Sequence, residues 1–234
     1  MHLHVGMSGF AYQEWKGLFY PAGLPHDAML GYYATRFPAV EINSTFYRMP
    51  NEKVLLDWAS RVPSDFRFCI KASQRITHYH RLQDVNSILE YLFATVNVLG
   101  ERRGPMLFQL PPNFKKDLPR LEAFLQQLPR VWRFAIQLRH ETWFDDTVLG
   151  LLRERDIALV VMEQDDWASP LEATASWGYV RLHRPGYSPE ELKSWLDRIR
   201  GQPWSEGYVF FQHEEGIAGP SVALQFNELA HIDD

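Results

Sequence analysis

The sequence predicts an α/β protein with a TIM-barrel-like (β/α)8 fold, built as a single domain over residues 1–234. The length of 234 residues is close to the ~250 residues typical of such barrels. Short β-like runs alternate with amphipathic helical stripes, an order that favours right-handed crossovers and a closed parallel sheet. No proline- or glycine-rich linker and no internal repeat divides the chain, so one domain is expected.

Eight runs have the pattern of β-strands, and a helical stripe follows most of them. The predicted strands cover residues 3–7, 39–43, 66–71, 106–110, 133–138, 157–162, 178–183 and 207–212. Apolar residues spaced i, i+3, i+4, i+7 predict helices that include residues 55–62, 89–96, 121–128 and 192–199.

Two helix starts are also predicted, and one unit of the barrel lacks its helix signal. Ser188, followed by Pro189 and then by Glu191, has the pattern of an N-cap with a capping box, and Asp145 is a weaker start signal. The stretch from residue 163 to residue 177 contains no long helical stripe. The sixth unit is therefore predicted to be short or irregular.

Composition and charge narrow the class of protein. Hydrophobic residues make up 46% of the chain and aromatic residues 14%, which is enough for a large core and argues against disorder. The net charge of −5 disfavours polyanions, so nucleic-acid binding would need a local basic patch. A single cysteine, Cys69, no recognisable signal peptide and no apolar run of ~20 residues predict a cytoplasmic protein without a membrane role.

Polar side chains recur at every second position where the predicted strands end. Because side chains alternate between the two faces of a strand, these residues turn away from the apolar residues between them and converge on the C-terminal mouth of the barrel. The inward polar set consists of Glu41, Asn43, Lys71, Gln109, Gln137, Arg139, Arg181 and His183. This set favours a ligand site, although a structural ion-pair network is the alternative for each single residue.

The cations of this set need negative partners. Lys71, Arg139 and Arg181 require Glu41, Asp165, Glu214 or a bound anion nearby, because an unpaired buried charge is costly. Arginine binds phosphate or carboxylate with two parallel hydrogen bonds, so a small-molecule anion is the expected ligand. Lys71 is also a candidate for a Schiff base if its pKa is lowered.

Candidates for proton transfer are a carboxylate and three histidines. Glu41 is the expected acid or base, and His78, His140 and His183 titrate in the physiological range unless they only serve as hydrogen-bonding residues. No metal or other cofactor is predicted, since His213 and Glu214 are adjacent and point to opposite sides in an extended segment. Residues 213–221 give only a weak phosphate-loop signal, and the aromatic residues of 10–20 either stack on a ligand or seal the barrel.

Several segments resemble the YecE-like family, catalogued as domain of unknown function 72. The matching segments span nearly the whole chain: 6–21, 40–50, 66–71, 76–78, 104–112, 138–143 and 179–183. The resemblance implies a TIM-barrel-like fold and supplies no reaction. The recurring family residues are Glu41, Asn43, Tyr47, Arg48, Lys71, His78, Gln109, Arg139, His140, Trp143, Arg181 and His183.

Two departures from the family pattern lie at the predicted mouth. Gln137 stands where the family usually has glutamate before the Arg-His pair, and a carboxamide cannot exchange a proton at neutral pH. Gln212-His213-Glu214 replaces an Asn-Asn-Asp-like run at the end of the eighth strand. Both changes allow an altered or lost activity.

Three classes of function follow from these residues. The leading hypothesis is an enzyme of unknown reaction that acts on a small anionic or sugar-like substrate. In this hypothesis Lys71, Arg139 and Arg181 bind the anion, and Glu41, His140 or His183 moves protons. The rival is a nucleic-acid-binding or processing protein, by analogy with barrel endonucleases. The third is a non-catalytic binding barrel, and the sequence leaves the oligomeric state open.

Overall fold

A computed structural model describes residues 1–164, 167–212 and 218–232 of the chain. Nine strands are present in these ranges: β1 His2–Ser8, β2 Ala39–Ile42, β3 Arg67–Lys71, β4 Arg103–Gln109, β5 Phe134–Gln137, β6 Ala158–Gln164, β7 Trp167–Ala168, β8 Trp177–Leu182 and β9 Glu206–Phe211. The α-helices are α1 Met29–Ala34, α2 Glu52–Ser60, α3 Asn86–Asn97, α4 Leu118–Gln126, α5 Asp146–Arg153, α6 Pro189–Arg200 and α7 Ala218–Ile232.

Eight of the strands form a closed parallel barrel. The pairing runs β1-β2-β3-β4-β5-β6-β8-β9 and returns from β9 to β1. The β5–β6 pairing is the shortest in the ring, with only the pairs Ala135–Ala158 and Ile136–Leu159. The predicted TIM-barrel-like fold is confirmed.

Side-chain alternation along the strands produces two cores. Residues such as Val5, Val40 and Phe68 point outward and pack under the helices. A smaller cluster fills the inside of the barrel, with small residues such as Ala39 facing the large rings of Tyr179 and Tyr208. The lower and middle barrel is therefore solid, and polar residues come together only toward its ends.

The sixth unit is irregular, as predicted, because no helix follows β6 in its described residues. The two-residue strand β7 instead turns back and pairs antiparallel with β6. The Ser169 hydroxyl accepts a hydrogen bond from the Met162 backbone N–H at 2.8 Å, and the Thr174 hydroxyl accepts one from Leu159 at 2.7 Å. These hydroxyls satisfy backbone donors of β6 that the short β5–β6 pairing leaves unbonded.

Helix α6 begins as the sequence predicts. Ser188 and Glu191 form a reciprocal capping box, with the Glu191 N–H donating to the Ser188 hydroxyl and the Ser188 N–H donating to the Glu191 carboxylate. Asp145 accepts hydrogen bonds from two backbone N–H groups at the start of α5. None of the helices in the described part of the chain has the length and apolar character needed to cross a membrane.

The close approach of β1 and β2 requires glycine at position 6. A Cβ atom on Gly6 would lie 2.0 Å from the backbone oxygen of Ala39, its register partner, whereas a Cβ on Gly23 would meet nothing within 4 Å. We expect Gly6→Ala to lower the free energy of unfolding by at least about 2 kcal/mol, because the strands must separate. Gly23→Ala, the matched control, is expected to change it by less than about 0.5 kcal/mol in urea titrations. Equal stabilities of the two variants would contradict this packing argument.

Candidate functional site

A buried carboxylate, Glu41, is the centre of the C-terminal mouth of the barrel. Its Oε1 accepts hydrogen bonds from the Ser8 hydroxyl at 2.7 Å, the Arg181 Nη2 at 2.8 Å and the Asn43 amide at 3.2 Å. Its Oε2 accepts one from the Tyr179 hydroxyl at 2.7 Å. Strands β1, β2 and β8 place these groups together because each contributes an inward-facing position near its C-terminal end.

Burial by itself would raise the pKa of Glu41, but the opposite charge of Arg181 and the hydrogen bonds from Ser8 and Tyr179 lower it to about 2. Glu41 is therefore ionised at neutral pH and its oxygens are occupied by donors. This arrangement makes Glu41 a fixed anionic partner of Arg181 and a weak base.

Arg181 joins Glu41 to the opposite side of the barrel. Its Nη1 donates to the Gln137 Oε1 at 2.6 Å, and the arginine is only 3% exposed. The Arg181 Nε and the Gln137 Nε2 are buried donors without a partner among the described residues. Because residue 137 is glutamine and carries no charge, Arg181 has a neutral acceptor on this side and the Gln137 Nε2 remains a donor without a partner among the described residues.

Two further cations, Lys71 and Arg139, lie at the mouth, and neither forms an ion pair or side-chain hydrogen bond with any described residue. The Lys71 Nζ lies 4.4 Å from the ring centroid of Phe46. Burial, then repulsion from Arg181 and Arg139, lowers the pKa of Lys71 to about 8, against the attraction of Glu41. Burial and the charge of Arg181 lower the pKa of Arg139, although it stays protonated at neutral pH.

The described part of the mouth therefore holds an excess of positive charge. Lys71, Arg139 and Arg181 stand against the single carboxylate Glu41, which leaves two cations uncompensated. The negative partners expected at Asp165 and Glu214 lie outside the described residues, as does the departure at His213-Glu214.

Two of the three predicted histidines lie beside these cations. Burial, Arg181 and Lys71 lower the pKa of His183 well below 6.5, and its Nε2 lies 3.3 Å from the Ser8 hydroxyl. Burial followed by the charges of Lys71 and Arg139 lowers the pKa of His78. Both imidazoles are therefore neutral at pH 7 and able to accept a proton when a ligand arrives.

His140 occupies a different place from the other two histidines. Arg139 points toward the mouth, so its neighbour His140 points the other way along the extended chain. Its Nδ1 caps the short turn Glu141–Trp143, accepting from the Thr142 backbone N–H at 3.3 Å and contacting the Thr142 hydroxyl at 3.0 Å. The structure thus gives His140 a capping role.

The remaining predicted residues divide between rim and core. Gln109 is half-buried at the end of β4, opposite Gln137 in register. Tyr47 and Arg48 are exposed at the rim, the tyrosine by 74%. Trp143 is fully buried, and its indole N–H donates to the Phe114 carbonyl at 2.6 Å, so a ligand in the mouth does not contact its ring.

Sequence reasoning missed three groups in the mouth. Ser8 and Tyr179 bind Glu41 directly, and the Tyr12 hydroxyl donates to the Ser8 carbonyl at 2.7 Å. The alternation of side chains places both Ser8 and Tyr179 at inward positions of their strands. Ser8 comes two residues after Gly6, and Tyr179 comes two residues before Arg181. Tyr179 lies one layer deeper in the barrel than the polar groups at the strand ends, so the alternation at those ends does not indicate it.

Similar proteins place the chain among proteins without a known activity. The family model described as "Protein of unknown function DUF72" matches residues 4–234. UPF0759 protein YecE of Escherichia coli is 28% identical over a region that covers 69% of this chain, and the match spans 59% of the YecE length. UPF0759 protein YunF of Bacillus subtilis is 22% identical, with 99% of this chain and 95% of that protein covered.

Solved structures show the same fold. A DUF72 family protein of Thermotoga maritima superposes with a TM-score of 0.86 at 26% identity, with both chains covered completely. A DUF72 family protein of Enterococcus faecalis gives a TM-score of 0.79 at 19% identity, covering 97% of this chain and 95% of that chain.

The Glu41–Arg181 pair predicts a distinctive effect on stability. Glu41→Gln leaves Arg181 buried without a counter-charge, so we expect the free energy of unfolding at pH 7 to fall by about 3–5 kcal/mol. Adding Arg181→Met removes the unpaired charge and is expected to recover most of that loss. Glu172→Gln, which breaks an exposed ion pair with Arg153, is the control and is expected to cost less than about 0.5 kcal/mol.

The pH dependence of this effect follows from the lowered pKa of Glu41. The stabilisation from its ionised form is complete above about pH 4.5 and is lost as the pH falls toward about 2. The difference between wild type and Glu41→Gln in chemical unfolding should therefore be constant above pH 5 and shrink below it. A difference that does not change between pH 5 and pH 2.5 would contradict the assignment.

Proposed function

We propose that this chain, which belongs to the DUF72 family, binds a small phosphate- or carboxylate-bearing ligand at the C-terminal mouth of its barrel and acts on it as an enzyme. The observation that supports the proposal is the pair of cations Lys71 and Arg139, which have no negative partner among the described residues and lie beside the buried Glu41–Arg181 pair. The reaction itself is not assigned.

The electrostatics of the mouth favour an anion over other ligands. Lys71, Arg139 and Arg181 repel one another, and this repulsion lowers the stability of the fold. A bound anion attracts all three cations and so offsets the repulsion. The free donors at the Arg181 Nε and the Gln137 Nε2 also call for a ligand rich in acceptor atoms. Phosphate and carboxylate groups meet both demands.

Proton transfer is the chemistry that the neighbouring groups support best. His183 and His78 are neutral at pH 7 and can accept a proton from a ligand, and Lys71, whose pKa is lowered to about 8, carries a proton that it can donate. Glu41 was the expected acid or base; its lowered pKa favours the role of orienting Arg181. We therefore assign proton transfer to His183, His78 or Lys71, next to the bound anion.

A nucleic acid remains a second candidate ligand, because two tyrosines at the rim are widely exposed. Tyr47 and Tyr79 are 74% and 70% exposed and flank Phe46 and His78. Exposed aromatic rings beside cations stack on bases. Binding of single-stranded DNA or RNA that weakens steeply with salt would favour this candidate, whereas binding of small anions alone favours the first.

Two further predictions concern the location of the protein and whether it carries out catalysis. The cytoplasmic location stays a prediction, as does a non-catalytic binding barrel, which shares the anion site but carries out no turnover. Ligand binding by the wild-type protein without any chemical change in the ligand would favour the binding barrel.

Removing the charge of Arg139 tests the anion site. Arg139→Gln is expected to weaken the binding of inorganic phosphate by at least about tenfold in calorimetric titrations, because one charge-assisted hydrogen bond is lost. Arg36→Gln removes an exposed arginine that precedes β2, at the opposite end of the barrel, and is expected to leave the affinity unchanged. Equal phosphate affinity of the wild type and Arg139→Gln would contradict the proposal.

The pKa of Lys71 predicts how the affinity depends on pH. Sulfate keeps the same charge between pH 7 and pH 9.5, so its affinity should fall by up to about tenfold per pH unit above the pKa of Lys71 in the free protein, about 8, and level off above the higher pKa of Lys71 in the complex. Lys71→Arg stays charged in this range and should remove the pH dependence. The same decline in both proteins would show that Lys71 does not bind the anion.

A further inference from the structure

A cleft of about 470 Å³ opens beside the mouth, between the loop after β1 and helices α1 and α2. Its inner walls are mostly apolar and aromatic, formed by Phe10, Ala11, Tyr12, Leu30, Ile42 and Trp58. This volume lies within the ~300–1,000 Å³ range of small-molecule sites. The interior cluster of the barrel does not extend into it.

The cleft and the mouth share a wall. Asn43 lines the cleft, and its amide donates to the Glu41 carboxylate at 3.2 Å. Tyr12 also lines the cleft, and its hydroxyl donates to the carbonyl of Ser8, whose side chain binds Glu41. A molecule that enters the cleft therefore lies next to the residues that hold the Glu41–Arg181 pair.

Some polar groups of the cleft have hydrogen-bond partners within the protein, and others do not. At the outer end, Arg61 donates to both carboxylate oxygens of Asp57, at 2.9 Å and 3.0 Å, and to the backbone of Asp27. These charges are already satisfied by one another. On the inner side, the Asn43 Oδ1 is buried and has no partner among the described residues. Among the described residues, the cleft therefore has no lysine or arginine left without a partner.

The geometry of the aromatic side chains favours a ring as the occupant. The Phe10 and Trp58 rings meet edge to face, with their planes at 89° and their centroids 6.0 Å apart. Two fixed perpendicular rings form a corner, and a rigid ring fills such a corner with less loss of conformational entropy than a flexible chain. The occupant is expected to be uncharged at this end, because apolar walls do not compensate a charge.

We propose that the cleft binds the ring of the same ligand whose anionic group lies in the mouth. The substrate class is then a ring-bearing phosphate or carboxylate, with the ring against Phe10, Tyr12 and Trp58. The inference rests on the proposed anion site and adds the chemistry of the rest of the ligand.

A set of three probes and two variants tests the inference. Inorganic phosphate, phenyl phosphate and ribose 5-phosphate are titrated into the full-length protein by calorimetry. Phenyl phosphate is expected to bind about tenfold more tightly than inorganic phosphate, because its ring loses contact with water in the cleft. Tighter binding of ribose 5-phosphate than of phenyl phosphate identifies the ring as a sugar, and the reverse order identifies it as aromatic.

The variants separate the cleft from the mouth. Ala11→Trp puts a large side chain into the cleft from an exposed loop position, and Ala22→Trp adds the same side chain at an exposed position that does not line it. Ala11→Trp should reduce phenyl phosphate binding to the level of inorganic phosphate and leave phosphate affinity unchanged. Ala22→Trp should affect neither probe.

The outcomes distinguish the two proposals. If phenyl phosphate binds no better than phosphate, or if its tighter binding survives Ala11→Trp, the cleft is not the ring site. If Ala11→Trp abolishes the tighter binding of phenyl phosphate while Arg139→Gln changes the affinity of none of the probes, the cleft assignment stands and the anion site is wrong. Loss of phenyl phosphate affinity in Ala11→Trp and in Arg139→Gln, with Ala22→Trp unchanged, supports both proposals.

Discussion

The Glu41–Arg181 ion pair is the interaction on which the arrangement of the mouth depends. The two residues are 140 positions apart in sequence, and their side chains are almost completely buried, at 0% and 4% exposure. Taking two charges out of water is costly, and the cost is met here by hydrogen bonds from Ser8 and Tyr179 to the carboxylate and by Gln137 on the arginine. The pair thereby fixes the positions of β1, β2, β5 and β8 relative to one another at the rim.

The two ends of the barrel use buried charge differently. Near the N-terminal end, Glu206 accepts hydrogen bonds from Tyr208 and Arg133 and lies 2.6 Å from the His4 Nε2, which lowers its pKa to about 2 against the effect of burial. At the C-terminal end the comparable carboxylate, Glu41, faces three cations. Lys71 is half-buried with a lowered pKa and has no ion-pair partner among the described residues, which supports the proposed ligand site.

Much of the fold and part of the site could be predicted from the sequence, because both depend on side-chain alternation. A period of two placed Glu41, Lys71, Gln137, Arg139 and Arg181 on the inner face, and the structure brings these residues together. The same rule explains His140: it follows an inward residue directly and therefore points away. Trp143 shows what a family resemblance cannot tell. A residue that recurs in a family serves either packing or ligand binding, and the complete burial of Trp143 in the structure identifies packing as its role.

Other features were not accessible from the sequence because they depend on three-dimensional juxtaposition. The contact between Tyr179 and Glu41 links positions 138 residues apart, and no local pattern encodes it. The cleft between the β1 loop and α2 is lined by Phe10 and Trp58, which are far apart in sequence and meet at a right angle in the structure. The aromatic run after β1 could be interpreted as packing or as stacking, and the structure shows that residues such as Trp15 pack in the core while Phe10 and Tyr12 line a cleft.

Proton uptake on sulfate binding tests whether an anion lies beside Lys71 in the mouth. Sulfate is titrated into the protein at pH 8 in buffers of different ionisation enthalpy, since sulfate itself takes up no proton there. If the anion lies beside Lys71, it raises the pKa of that lysine from about 8, and the complex should take up as much as about half a proton, an uptake absent in Lys71→Arg. Sulfate binding without proton uptake, or with equal uptake in both proteins, would contradict an anion site built on the uncompensated cations of the mouth.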